Sequence, residues 1–83
     1  MLVFEPCYTN YLSFAAQADV TMVPVTLRVE DAYHFGSEAR LRAAIGPRTK
    51  GILLCNPSNP TGTVYTEQEL DAVARVAVEA DLF

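Results

Sequence analysis

The chain has 83 residues, of which 51% are apolar and 19% charged, with a net charge of −4. That composition is globular, and the acidic balance with no basic cluster argues against a general nucleic-acid binder. No apolar run approaches the ~18 residues of a membrane span, and no basic segment precedes a long apolar one as in a signal peptide.

Met1 to Glu5 reads as a strand, ended by Pro6, with Cys7-Tyr8-Thr9 as a loop at its carboxyl end. A short helix follows, capped by Thr9 or Asn10. Its residues Tyr11, Phe14, Ala15 and Ala18 recur at i, i+3, i+4 and i+7, the stripe of a helix lying on a sheet. Thr21 to Thr26 is a second strand, and Pro24, which has no N–H to give a ladder, suggests an edge position or a strand end. Leu27 to Gly36 is mixed and polar and reads as a connection. Ser37 is positioned to cap a helix over Glu38 to Ile45, with Leu41, Ala44 and Ile45 on the buried side and Gly46-Pro47 as the stop.

Lys50 to Cys55 is the third strand, apolar enough for a central parallel strand covered on both faces. Next comes Asn56-Pro57-Ser58-Asn59-Pro60-Thr61-Gly62, a turn stiffened by two prolines. Thr66-Glu67-Gln68-Glu69 matches a capping box, and the helix it opens has Leu70, Val73, Ala74, Ala77 and Val78 on one face. Glu67, Asp71, Arg75 and Glu79 take the other face. Leu82 and Phe83 look like the start of a further strand.

Alternation of strand and helix predicts an α/β fold, a parallel sheet with right-handed crossovers. A strand at the first residue and another at the last suggest that residues 1–83 are part of a larger domain, cut at both ends. In such sheets ligands bind outside the carboxyl ends of the strands, where Tyr8 and Asn59 would both lie. A ring to stack on and an amide to donate suit a flat heteroaromatic ligand with an oxygen substituent. Cys7 and Cys55 read as two small buried hydrophobes in a reducing cytoplasm, with a disulfide or a reactive thiol as the alternative. His34 reads as a solvent-facing or hydrogen-bonded loop residue, and the acidic residues as solvated helix and loop surface. Neither a metal cluster nor a G-x-G-x-x-G or P-loop motif is present.

Asn59-Pro60-Thr61-Gly62, behind an apolar strand and ahead of a capped helix, resembles the N-P-T-G motif of class I/II aminotransferases. Glu5 to Tyr11 resembles the P-x-[YFW]-x-x-[YH] segment of that family, and Arg48 to Leu54 its T-K-x-I-x-L segment. The resemblance implies a partial large domain of the fold type I pyridoxal-phosphate enzymes. The activity implied is transfer of an amino group between an amino acid and a 2-oxo acid, in a cytoplasmic homodimer with no nucleic-acid or membrane partner. A lyase or synthase of the same fold, and an effector-sensing domain of a transcriptional regulator, share these segments.

By the same resemblance, Tyr8 would stack on the ring of pyridoxal 5′-phosphate. Asn59 would donate to its phenolic oxygen and help hold the substrate carboxylate. Tyr11 and Pro60 would stand behind these contacts, and Pro60, with Pro6 as a second candidate, would follow a cis peptide bond. The Schiff-base lysine of the family lies outside the matched segments. Lys50, the one lysine present, is then a solvated residue at a strand end, and residues 1–83 alone should not transaminate.

Overall fold

In a computed structural model describing residues 1–83, three short strands form one sheet with helices between them. β1 is Leu2–Glu5, β2 is Val23–Thr26 and β3 is Ile52–Leu53. All pairings are parallel, in the order β2-β1-β3, with Leu2 opposite both Val23 and Ile52. Three helices alternate with them: α1, Asn10–Gln17; α2, Glu38–Ala44; and α3, Glu67–Glu79. The α/β expectation holds, and Pro24 does lie in an edge strand, where its missing N–H costs no rung.

β1 is the middle strand of the three, and β3, with β1 on one side and Phe83 on the other, is internal as expected. Leu2, Val3 and Phe4 are all buried, whereas Ile52 and Leu53 are half-buried. A continuous apolar run marks an internal strand, and both segments that carry one have neighbours on either side. Beyond β3, the Phe83 N–H donates to the Lys50 carbonyl at 3.0 Å, and the Ile52 N–H donates to the Phe83 carbonyl at 2.8 Å. That is the hydrogen-bond pattern of one parallel bridge about Gly51, which sets Phe83 alongside β3.

The core lies on the face covered by α2 and α3. Phe4, Val25, Leu27, Phe35, Leu41 and Tyr65 form its buried cluster with Ala72. Phe35 stacks on Phe4 with centroids 5.3 Å apart, and Tyr65 tilts against both. The polar connection thus supplies two core residues: Leu27 and Phe35 close its ends, with a 3-10 turn at Val29–Asp31 between them. Single apolar residues in a polar stretch carry no period, so the pattern alone does not mark them as core.

Two helix faces differ from their sequence pattern. α1 buries none of its residues; Phe14 and Leu12 are exposed, and only Tyr11 and Ala15 of the helix are half-buried. In α3 the covered face is Glu69, Ala72 and Val76, flanked by Leu70, Val73 and Ala77, while Ala74 and Val78 face solvent. The covered face is thus centred on Ala72 and Val76 rather than on Val73 and Ala77.

The predicted stops and caps are mostly in place. The Glu69 N–H donates to Thr66 Oγ1 at 3.2 Å, and the Thr66 N–H donates to Glu69 Oε2 at 2.9 Å, a complete capping box. Thr9 and Ser37 occupy the cap positions of α1 and α2 without side-chain bonds. α2 ends at Ala44, one residue short of Ile45, which is extended. Arg42 pairs with Glu38 and Glu79, and Arg75 with Glu38, tying α2 to α3 at the surface. Exposed pairs of this kind contribute little, typically ~0–1 kcal/mol each. No helix is long and apolar enough to cross a membrane.

Candidate cofactor crevice

Beyond the carboxyl ends of β1 and β3 lies a narrow crevice, lined by Cys7, Tyr11, Cys55, Ser58, Asn59 and Tyr65 above the side chains of Val3 and Leu53. The two strands are parallel, so the loops that leave them meet at one edge of the sheet. Tyr11 and Asn59 are thereby brought together across 48 positions of sequence. Tyr8 stands beside the crevice, not in its lining. Its ring is 40% exposed and meets Tyr11 edge-on at 5.5 Å, while its hydroxyl accepts from Asn10 Nδ2 at 2.7 Å.

The Asn-Pro loop is held by its own backbone and by its threonines. The Ser58 N–H donates to the Thr63 carbonyl at 2.8 Å, and the Gly62 N–H to the Ser58 carbonyl at 2.9 Å. Gly62 takes φ +74°, a value that disfavours any side chain. Thr61 Oγ1 donates to Thr63 Oγ1 at 3.0 Å, which donates in turn to the Ala32 carbonyl at 3.0 Å. Peptide bonds before Pro6 and Pro60 are cis, as the resemblance implied, and so is the one before Pro57.

The two asparagines of this loop are used differently. Asn56 Oδ1 accepts from the Tyr65 N–H at 3.1 Å and so closes the loop. The Asn59 amide forms no hydrogen bond within the chain and stays free to meet a ligand at the crevice. Cys55 Sγ contacts the Pro57 carbonyl at 3.3 Å. The Cys55 thiol beside the Tyr11 hydroxyl pushes the phenol above its ordinary pKa, helped by partial desolvation. Burial, then the Glu5 carboxylate, pushes the Cys7 thiol up as well. Both cysteines are free and half-buried.

Lys50 is exposed and precedes β3, at the opposite end of the strand from the crevice. No lysine reaches the crevice from this chain. Nor is there a group of three or more His, Cys, Asp or Glu side chains that could hold a metal ion.

One buried charge departs from the expectation that the acidic residues are solvated. Glu69 is 8% exposed, and its Oε2 meets His34 Nδ1 at 2.7 Å. His34 is therefore the hydrogen-bonded loop histidine of the two alternatives. Burial raises the Glu69 carboxyl, but the Thr66 N–H and His34 more than offset this, and its pKa lies below the ordinary value. The capping box located Glu69 on the helix. Its partner, 35 positions away, carries no local signal.

Residues 1–83 match the model of the family described as aminotransferase class I and II. The aspartate aminotransferase of Musicola paradisiaca is 37% identical over the whole chain, which spans 20% of that relative's length. The aspartate/prephenate aminotransferase of Thermus thermophilus is also 37% identical, and the chain spans 21% of it. Among solved structures, an aspartate aminotransferase from Thermus thermophilus with maleate matches with a TM-score of 0.93 and 36% identity, over 99% of this chain and 21% of that one. The chain thus spans about a fifth of the length of the curated relatives it matches.

Proposed function

Because the chain belongs to the aminotransferase class I and II family, whose members depend on pyridoxal phosphate, we propose that residues 1–83 form one part of such a cofactor site. The protein that carries them transfers an amino group between an amino acid and a 2-oxo acid, in a cytoplasmic homodimer. The observation that carries this reading is the free Asn59 amide at the crevice, on a loop whose other asparagine is committed to structure.

The side chains at the crevice fit the cofactor's chemistry. Tyr8 offers a partly exposed ring beside the strand ends, suited to stacking on a pyridine face. Asn59 offers N–H donors suited to a phenolate oxygen and, beside it, to a substrate carboxylate. Tyr11 holds Tyr8 by its edge-on contact, and Pro60 with Gly62 shapes the turn that aims Asn59. When bound, pyridoxal phosphate supplies the electron sink for the α-carbon of the substrate. A donor held on the phenolate stabilises that anion and shifts the cofactor's proton affinities toward neutral pH.

Residues 1–83 bind and orient; they do not supply the reacting amine, because their one lysine is at the far end of β3. The segment on its own is therefore inactive. The test uses the full-length protein. It should take up pyridoxal phosphate with a visible absorption band and exchange amino groups between an amino acid and a 2-oxo acid. Asn59→Ala should weaken retention of the cofactor by about tenfold, the scale of one lost charge-assisted hydrogen bond. Failure to bind pyridoxal phosphate, or an Asn59→Ala protein with unchanged affinity and an unchanged pH titration of the band, would overturn the assignment.

A further inference from the structure

We infer that His34 is a positioning residue for the Asn56–Tyr65 loop, and through it for Asn59; the inference rests on the cofactor-site reading above. His34 lies in the connection between β2 and α2, on the side of the loop away from the crevice. Two attachments join that connection to the loop and to the start of α3. Thr63 Oγ1 donates to the Ala32 carbonyl at 3.0 Å, and His34 Nδ1 meets Glu69 Oε2 at 2.7 Å.

Glu69 binds the loop's end directly. Its Oε2 accepts from the Thr66 N–H at 2.9 Å and from Thr66 Oγ1 at 3.2 Å, while Oε1 is buried with no partner. One oxygen thus carries His34 and both Thr66 donors, and the imidazole is the only side chain from outside the capping box to reach it. Removing the imidazole leaves a buried carboxylate with one oxygen unpartnered and the other short of a donor, a costly arrangement in a low-dielectric site.

The second contact of His34 points the same way. Its ring meets the Tyr65 ring edge-on at 6.1 Å and 86°. Tyr65 is 4% exposed and lines the Asn59 crevice, and its N–H is the one held by Asn56. His34 therefore touches both groups that fix the carboxyl end of the loop: the Glu69 carboxylate that holds Thr66, and the Tyr65 ring behind the crevice. With His34 in place the loop is bound at Ser58–Thr63, at Asn56–Tyr65 and at its exit into α3. Without it the exit loses its outside brace, and the Asn59 amide loses a fixed aim.

The test is a double-mutant cycle in the full-length protein, read as the dissociation constant for pyridoxal phosphate. Amide hydrogen exchange of residues 56–65, measured without cofactor, is the second readout. His34→Ala should weaken binding by about threefold or more when Asn59 is present and by less than about twofold in an Asn59→Ala background, the non-additivity expected of residues that act through one loop. The Tyr65 amide should exchange faster in His34→Ala before any cofactor is added. His34→Gln, which keeps a donor for Glu69, should restore most of both effects. It also carries the same cycle should His34→Ala fail to fold, by showing exchange and affinity close to the parent. Equal effects of His34→Ala in both backgrounds, or unchanged exchange at Tyr65, would overturn the inference while leaving the cofactor site standing. An Asn59→Ala protein with unchanged affinity would instead remove the site assignment, and this inference with it.

Discussion

Asn56 and Asn59 stand three residues apart in one turn and are spent on opposite tasks. Asn56 Oδ1 accepts the Tyr65 N–H at 3.1 Å, whereas the Asn59 amide has no partner in the chain. Asn56→Ala should therefore lower stability by about 1–3 kcal/mol, since it strands the N–H of a buried residue. Asn59→Ala should stay within about 0.5 kcal/mol of the parent apoprotein. Denaturant unfolding of the two apo variants in the full-length protein checks this. A larger loss for Asn59→Ala than for Asn56→Ala would contradict the division.

Much of this arrangement can be read from local chemistry. The stiff Asn-Pro turn, the capping box at Thr66–Glu69 and the alternation of strands with helices each follow from residues close in sequence, and each is present. What could not be read depends on partners. β1 and β3 both carry apolar runs and both have neighbours on either side, but only the pairing shows that β1 is the more deeply buried of the two. The stripe on α1 shows which face is apolar, not what covers it. The covered face of α3 is offset from its apolar stripe because Glu69 is drawn in by His34 and Thr66, partners that the period does not show. In the crevice, motif likeness named Tyr8 and Asn59, but the crevice lining holds Tyr11 and leaves Tyr8 at its side. The Glu69–His34 pair spans 35 positions and has no local signature.

Gly51 is required by close approach. A Cβ added there would sit 2.9 Å from the Phe83 carbonyl oxygen, a backbone atom in the rung that joins Phe83 to β3. Backbone cannot rotate away as a long side chain can, so the rung must open or the strand must shift. Gly51→Ala should destabilise by about 1–3 kcal/mol, the usual scale of overpacking. Faster amide exchange at Ile52, which donates to that same carbonyl, should accompany the loss.

Leu41 anchors α2 to the core. It is fully buried among Phe4, Phe35 and Tyr65 in one cluster, the same cluster that backs the crevice. Leu41→Ala should cost about 2–5 kcal/mol, the transfer term plus the cavity it leaves. Leu41→Met, which nearly conserves volume, should cost less than about 1.5 kcal/mol. Thermal melts of both variants in the full-length protein give the comparison, and equal losses would show that the cavity does not govern the effect.

The Glu69 carboxyl gives stability a defined pH dependence. Burial alone would raise its pKa, yet the Thr66 N–H and the His34 side chain bring it below the ordinary value of 4.5. A carboxyl with a lower pKa folded than unfolded binds fewer protons when folded, so its contribution is present above the unfolded value. That contribution is lost as pH falls through the folded value. Glu69→Gln removes this titration while keeping the shape of the side chain. The stability difference between the parent and Glu69→Gln should therefore shift against the parent as the pH drops below 4.5. Urea midpoints for the two proteins between pH 7 and pH 3 test it. Parallel curves through the whole range would mean that the folded and unfolded carboxyls titrate alike, and that the Thr66 and His34 contacts do not favour the charged form.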